Sequence, residues 1–131
     1  MSLDLSKKVV TVRPDQTIAT KQNLPYYVGI SSETAGTVGL SMNLVVIPPG
    51  ASPKAHYHKD FETVIYLLKG RVETRFGENL KESVINEEGD FIFIPQGVPH
   101  KPVNLSDSES ALAIISRNDP NEHENVVPYE P

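Results

Sequence analysis

The 131-residue chain has no cysteine. A disulfide framework, a thiolate nucleophile and thiolate-ligated zinc or iron–sulfur centres are therefore excluded. Tryptophan is absent as well. Cations are few: 12 lysines and arginines stand against 17 acidic residues, a net charge of −5. The longest cationic run is Lys7-Lys8. Phosphate backbones are bound by clustered cations, so no nucleic-acid partner is expected. Long hydrophobic runs are missing too. Val64 to Leu68 and Phe91 to Ile94 fall far short of the roughly 20 residues that span a bilayer. The opening Met1-Ser2-Leu3-Asp4-Leu5-Ser6-Lys7-Lys8 lacks the apolar core and cleavage site of a signal peptide. A soluble cytoplasmic protein with no membrane partner is the expectation. Histidine is also scarce, at four residues.

What is present points to β structure. Eleven prolines exceed the usual frequency of about 5% and work against long helices. The length suits one domain. Short runs rich in β-branched and aromatic residues alternate with turn signals every eight to twelve residues, the pattern of a sandwich or barrel. Strands are expected at Leu40 to Ile47, Glu62 to Leu68, Arg71 to Phe76, Lys81 to Asn86, Phe91 to Ile94, Val98 to Val103 and Ala111 to Arg117. Two further candidates, Val9 to Val12 and Tyr26 to Ile30, lie nearer the N-terminus. Phe91-Ile92-Phe93-Ile94 and Val64-Ile65-Tyr66-Leu67-Leu68 are apolar at both parities. They are expected to be covered on both faces by a facing sheet, an arm or a second subunit.

Three of the four histidines fall in two segments. The first reads Gly50-Ala-Ser-Pro-Lys-Ala-His56-Tyr-His58-Lys-Asp-Phe-Glu62. The second reads Gly89-Asp-Phe-Ile-Phe-Ile-Pro95-Gln-Gly97-Val-Pro-His100-Lys-Pro-Val-Asn104. Positions two apart on a strand project to one face, so His56 and His58 point together, and Glu62 shares their parity if no bulge intervenes. Neutral imidazoles with one carboxylate suit Fe, Mn, Ni, Co, Cu or Zn.

These segments resemble the two motifs of the cupin superfamily, small β-barrels that often bind one metal ion. The first motif runs glycine, five residues, histidine, one residue, histidine, three or four residues, glutamate, six residues, glycine. Gly50, His56, His58, Glu62 and Gly70 follow it with seven residues rather than six before Gly70. The second runs glycine, five residues, proline, one residue, glycine, two residues, histidine, three residues, asparagine. Gly89, Pro95, Gly97, His100 and Asn104 match it without a gap. The resemblance implies an all-β, cupin-type double-stranded β-helix, or jelly-roll barrel. It implies a single domain over residues 1–131, with a motif-bearing core at about 42–117, an N-terminal arm at 1–39 and a C-terminal tail at 118–131. The implied metal ligands are His56, His58, Glu62 and His100, holding one transition-metal ion per chain. Gly50, Gly70, Gly89 and Gly97 become turn positions, and Pro95 opens the turn that leads to His100.

The rival reading is a pocket that holds water or ligand but no metal. Four protein ligands on an octahedral ion leave two positions open, so catalysis fits Fe or Mn, with Ni or Co next, better than Zn or Cu. Two functions of different class stay open. One is a metal-dependent oxygenase or isomerase-type enzyme acting on a small molecule; the other is a non-catalytic module that binds or senses a small, sugar-like metabolite. No catalytic acid or base is identified. Arg75, Tyr66 and Tyr27 are candidate lining residues, with surface or core positions equally open. His123 is expected to be a solvated surface histidine. Thr34 to Gly39 reads as a hairpin turn rather than a phosphate cradle. No Gly-x-Ser-x-Gly elbow supports a serine hydrolase. Exposed sheet edges and the arm make a homodimer the expected assembly.

Overall fold

A computed structural model describes residues 2–14, 17–19, 24–51, 53–121 and 125–131. Strands β1 (Thr17–Ala19), β2 (Pro25–Ile30), β3 (Ser41–Ile47), β10 (Ala111–Arg117), β5 (Thr63–Lys69) and β8 (Phe91–Ile94) pair in that order into a six-stranded sheet. The second sheet runs β11 (Val127–Pro128), β4 (His56–Tyr57), β9 (His100–Asn104), β6 (Val72–Phe76) and β7 (Glu82–Asn86). Every pairing is antiparallel. This is the jelly-roll architecture, two facing sheets with the core between them. Among the described residues no helix is long and apolar enough to cross a membrane.

Alternation fixes which residues enter that core. Along β3 the inward row is Ser41, Asn43, Val45 and Ile47, and along β10 it is Ala111, Ala113, Ile115 and Arg117. The two rows lie in register, Ala111 opposite Ile47 and Ala113 opposite Val45. Leu24, Tyr26, Leu67 and Val72 complete the apolar cluster. Ala113 lines the cavity described below, while Ala111 packs closely against Gly70.

Eight of the nine expected strands appear within two residues of their sequence limits, the Tyr26 to Ile30 candidate among them as β2. Val9 to Val12 does not form a strand. Val9 is 97% exposed, and an extended segment with no neighbour to take its backbone hydrogen bonds is not a strand. Three strands went unread, β1, β4 and β11. Thr34 to Gly39 does lie in the connection between the antiparallel neighbours β2 and β3, but its start is helical. Helix α1 (Ser32–Ala35) is capped by Ser31, whose hydroxyl accepts from Thr34 N–H, and is ended by Gly36 in the left-handed region.

Neither the facing sheet nor the arm supplies the second cover expected for the Val64 to Leu68 and Phe91 to Ile94 runs, which leaves a second subunit as the remaining candidate. Within one chain only one parity of β5 and β8 is covered. Phe91 is 86% and Phe93 55% exposed, because the sheets face each other and the arm packs elsewhere. Val12 and Pro14 of the arm line a groove with Tyr27, Met42 and Leu68.

Gly70 ends β5 with φ of +101°, where a β-carbon would come within 2.9 Å of the Ala111 β-carbon. Gly70→Ala is therefore expected to destabilise the fold by about 1–3 kcal/mol, read as a lower urea midpoint with an unchanged slope.

Candidate metal centre

β4 is only two residues long, yet it is held on both sides. His56 lies directly opposite His100 of β9, and Val127 and Pro128 of β11 pair with Tyr57 and His56 on the other edge. Tyr129 N–H donates to the Ala55 carbonyl at 3.0 Å, which extends that contact. The register places two imidazoles side by side across the ladder, their planes 62° apart, and His58 adds a third from the same parity.

The three rings converge. His56 and His100 have centroids 4.5 Å apart, His56 and His58 4.8 Å, and His58 and His100 5.2 Å. All three residues are buried, and one ring nitrogen from each falls within 4.8 Å of the others, a group that could hold a metal ion. Ligands at the 2.0–2.1 Å of a metal–imidazole bond stand about 3.0–3.4 Å apart, closer than the 4.8 Å within which these nitrogens lie. The backbone sets their tautomers. His100 Nδ1 lies 2.9 Å from the Val98 carbonyl and His56 Nδ1 3.4 Å from that of Lys54. A carbonyl only accepts, so each Nδ1 carries the proton and each Nε2 the lone pair, the form that ligates metals.

The second motif positions His100 through its turn. Val98 N–H reaches the Pro95 carbonyl, and Gly97, with φ of +79°, donates its N–H to the His58 carbonyl at 2.8 Å. One peptide group thus ties the two histidine segments together. Asn104 is a clamp, not a ligand. Its Nδ2 donates to the carbonyls of Ile47 (2.9 Å) and Glu109 (2.8 Å), and its Oδ1 accepts from Ser106 N–H (2.9 Å).

Glu62 is not brought into the group. It is exposed, just before β5, with its N–H donating to Asn118 Oδ1 at 2.8 Å. The chain bends at Lys59 and Asp60 after β4, so parity does not carry through from His58. Phe61 and Thr63 turn inward instead, each 3% exposed. The Phe61 ring lies 4.6 Å from that of His58, and the Arg117 guanidinium sits 5.8 Å from the Phe61 centroid. Thr63 lines the cavity with the three histidines, and its Oγ1 is buried without a hydrogen-bond partner among the described residues. Placing Thr63 at the acidic motif position leaves four residues after His58 and six before Gly70. The surplus residue counted from Glu62 then disappears. That alternative spacing was the signal by which the sequence could have exposed Thr63.

The cavity, about 60 Å³, is walled by aliphatic side chains, among them Val45, Ile65, Leu67, Ile92 and Ile115, with Thr63 and Thr74 as its polar residues besides the histidines. Thr74 Oγ1 is already spent on Asn86 Oδ1 at 2.7 Å. Arg75, Tyr66 and Tyr27 do not line it. Arg75 is exposed, Tyr66 stacks on Phe91 with centroids 4.8 Å apart, and Tyr27 faces the arm groove. His123 lies outside the described residues.

With this geometry in hand, the comparisons agree on a class. The cupin domain family profile matches residues 43–116, and the chain belongs to the cupin family. Its curated relatives include a germin-like protein, subfamily 3 member 2, of Arabidopsis thaliana, 33% identical over 78 residues, and an uncharacterised protein of Aquifex aeolicus, 36% identical over 80. The matches cover 58% and 61% of this chain but only 34% and 62% of those proteins. Among solved structures, the oxalate decarboxylase of Bacillus subtilis, which has Mn(II) centres, superposes with a TM-score of 0.70 at 19% identity, over 87% of this chain and 30% of its own. That likeness shows the fold.

Because Asn104 acts on loops rather than on the rings, Asn104→Ala is expected to cost about 1–3 kcal/mol of stability while metal uptake persists. Thermal denaturation alongside metal analysis checks both halves.

Proposed function

We propose that this cupin holds one transition-metal ion per chain, Fe or Mn by preference, and uses it as an oxygenase-type enzyme on a small molecule. The observation that carries the reading is the buried convergence of His56, His58 and His100 on one cavity. The donor set fits the ion. Imidazole nitrogen suits first-row divalent metals, and two of the rings already present the ligating tautomer. The ion would supply open coordination positions at which a small molecule, or a small molecule with dioxygen, is activated.

The chain's own residues do the rest. The β4–β9 register fixes His56 opposite His100, the Lys54 and Val98 carbonyls hold the protons of those two rings on Nδ1, and aliphatic side chains wall the centre. Of the two enzyme types expected, the isomerase needs a group that takes a proton from carbon. Among the described cavity residues the polar groups beyond the histidines are two threonine hydroxyls, which do not serve as such a base. The oxygenase reading is therefore favoured. Mn(II) centres in a protein of the same fold support the choice of metal class. A binding module with the same cavity is the second reading, and turnover separates the two. Fe(II)-loaded protein is expected to consume oxygen with at least one of a set of catechols, thiols and dicarbonyls. Binding of such compounds without turnover would select the module.

Anaerobic loading with Fe(II) or Mn(II) should give about one ion per chain by elemental analysis. His100→Ala or His58→Ala should weaken the affinity by at least about 100-fold, beyond the 10–100-fold that outer-shell losses cost. Protons compete for imidazole nitrogen, so affinity should fall as the pH is lowered.

A homodimer is part of the same proposal. Phe91, Phe93, Val64, Leu68 and Met42 lie exposed on the outer face of the six-stranded sheet, and Leu3, Leu5 and Val9 lie exposed on the arm. A contiguous apolar face of this kind is what a second copy buries. Sedimentation should show a dimer, and Phe93→Glu should shift it toward monomer.

A further inference from the structure

The cavity contains three donors that are neutral when they bind a metal, and no carboxylate lines it among the described residues. Thr63 occupies the place beside them where the motif puts an acid. It opens β5, is 3% exposed, and among the described residues has no hydrogen-bond partner for Oγ1. Glu62, one residue earlier, is held outward through its N–H by Asn118. In a strand, residues 62 and 63 cannot face the same way.

A divalent ion on three imidazoles keeps its full charge of two. Aliphatic walls offer nothing to offset it, and an uncompensated charge in an apolar enclosure is strongly unfavourable. Resting on the metal reading above, we infer that the site selects a small anionic chelator. A pair of oxygens from an α-oxo carboxylate or an enolate supplies the charge that a protein carboxylate would bring, and one of these oxygens accepts the Thr63 hydroxyl hydrogen. The cavity of about 60 Å³ has room for a few water-sized sites, so the chelating end of the ligand is small.

Co(II)-loaded protein tests this through its visible ligand-field spectrum, with chelator competition to measure metal affinity. Pyruvate and its neutral isostere pyruvamide are the probes. Pyruvate should perturb the spectrum at millimolar concentration and bind at least about tenfold more tightly than pyruvamide, a difference of about 1.4 kcal/mol. Glu62→Gln should leave Co(II) affinity within about threefold of the parent chain, since an exposed carboxylate contributes little. Thr63→Val should keep Co(II) but weaken pyruvate by about five- to tenfold. Thr63→Glu should tighten Co(II) and abolish the preference for pyruvate, with circular dichroism confirming its fold. Failure of the parent chain to take up Co(II) would overturn the metal reading, and this inference with it. Uptake of Co(II) with equal binding of the two probes, or with no response to pyruvate, overturns the inference alone. So does a loss of Co(II) in Glu62→Gln as large as in His100→Ala.

Discussion

The pairing of His56 with His100 is the contact on which the site depends. β4 is too short to hold itself, and a two-residue strand has no independent stability. It exists because β9 lies on one edge and β11 on the other. The same ladder contact that closes the second sheet brings two imidazoles together with centroids 4.5 Å apart. Fold closure and site assembly are therefore a single event. Residues far apart in the chain, at positions 56, 100 and 128, are brought together only when both edges form.

Around that contact the barrel builds a cavity of unusual contrast. Its walls are aliphatic, and among the described residues its polar groups are confined to three histidines and two threonines. One threonine is already bonded and the other is not. Three imidazoles are buried side by side, with one ring nitrogen from each within 4.8 Å of the others. An ion would engage them directly. The Nδ1 contacts to backbone carbonyls leave Nε2 as the ligating atom on His56 and His100, so the rings are oriented before any ion arrives.

Much of this was readable from the chain. The runs rich in β-branched residues and the turn signals between them gave strands close to their observed limits, because such residues favour extended pairing and glycine and proline end it. His56, His58 and His100 were identified by spacing and are together in the structure. The departures have physical causes. β4 and β11 are two residues each, below the length at which periodicity is detectable, and they are defined only by their partners. Val9 to Val12 has strand composition but no partner. Glu62 satisfied one allowed spacing, yet the bend at Lys59 and Asp60 breaks the parity that would have turned it inward, and Thr63 takes the inward place. The outer residues Phe91 and Phe93 show that an apolar run does not say what covers its second face.

The central claim is that three histidines, without Glu62, hold one metal ion in each chain. A crystal structure of Co(II)-soaked protein, with data collected at the cobalt absorption edge, tests it most directly. The account predicts one anomalous peak per chain, within bonding distance of His56, His58 and His100, with the Glu62 carboxylate remote from it. No peak between the three rings, or a peak ligated by Glu62, would contradict it.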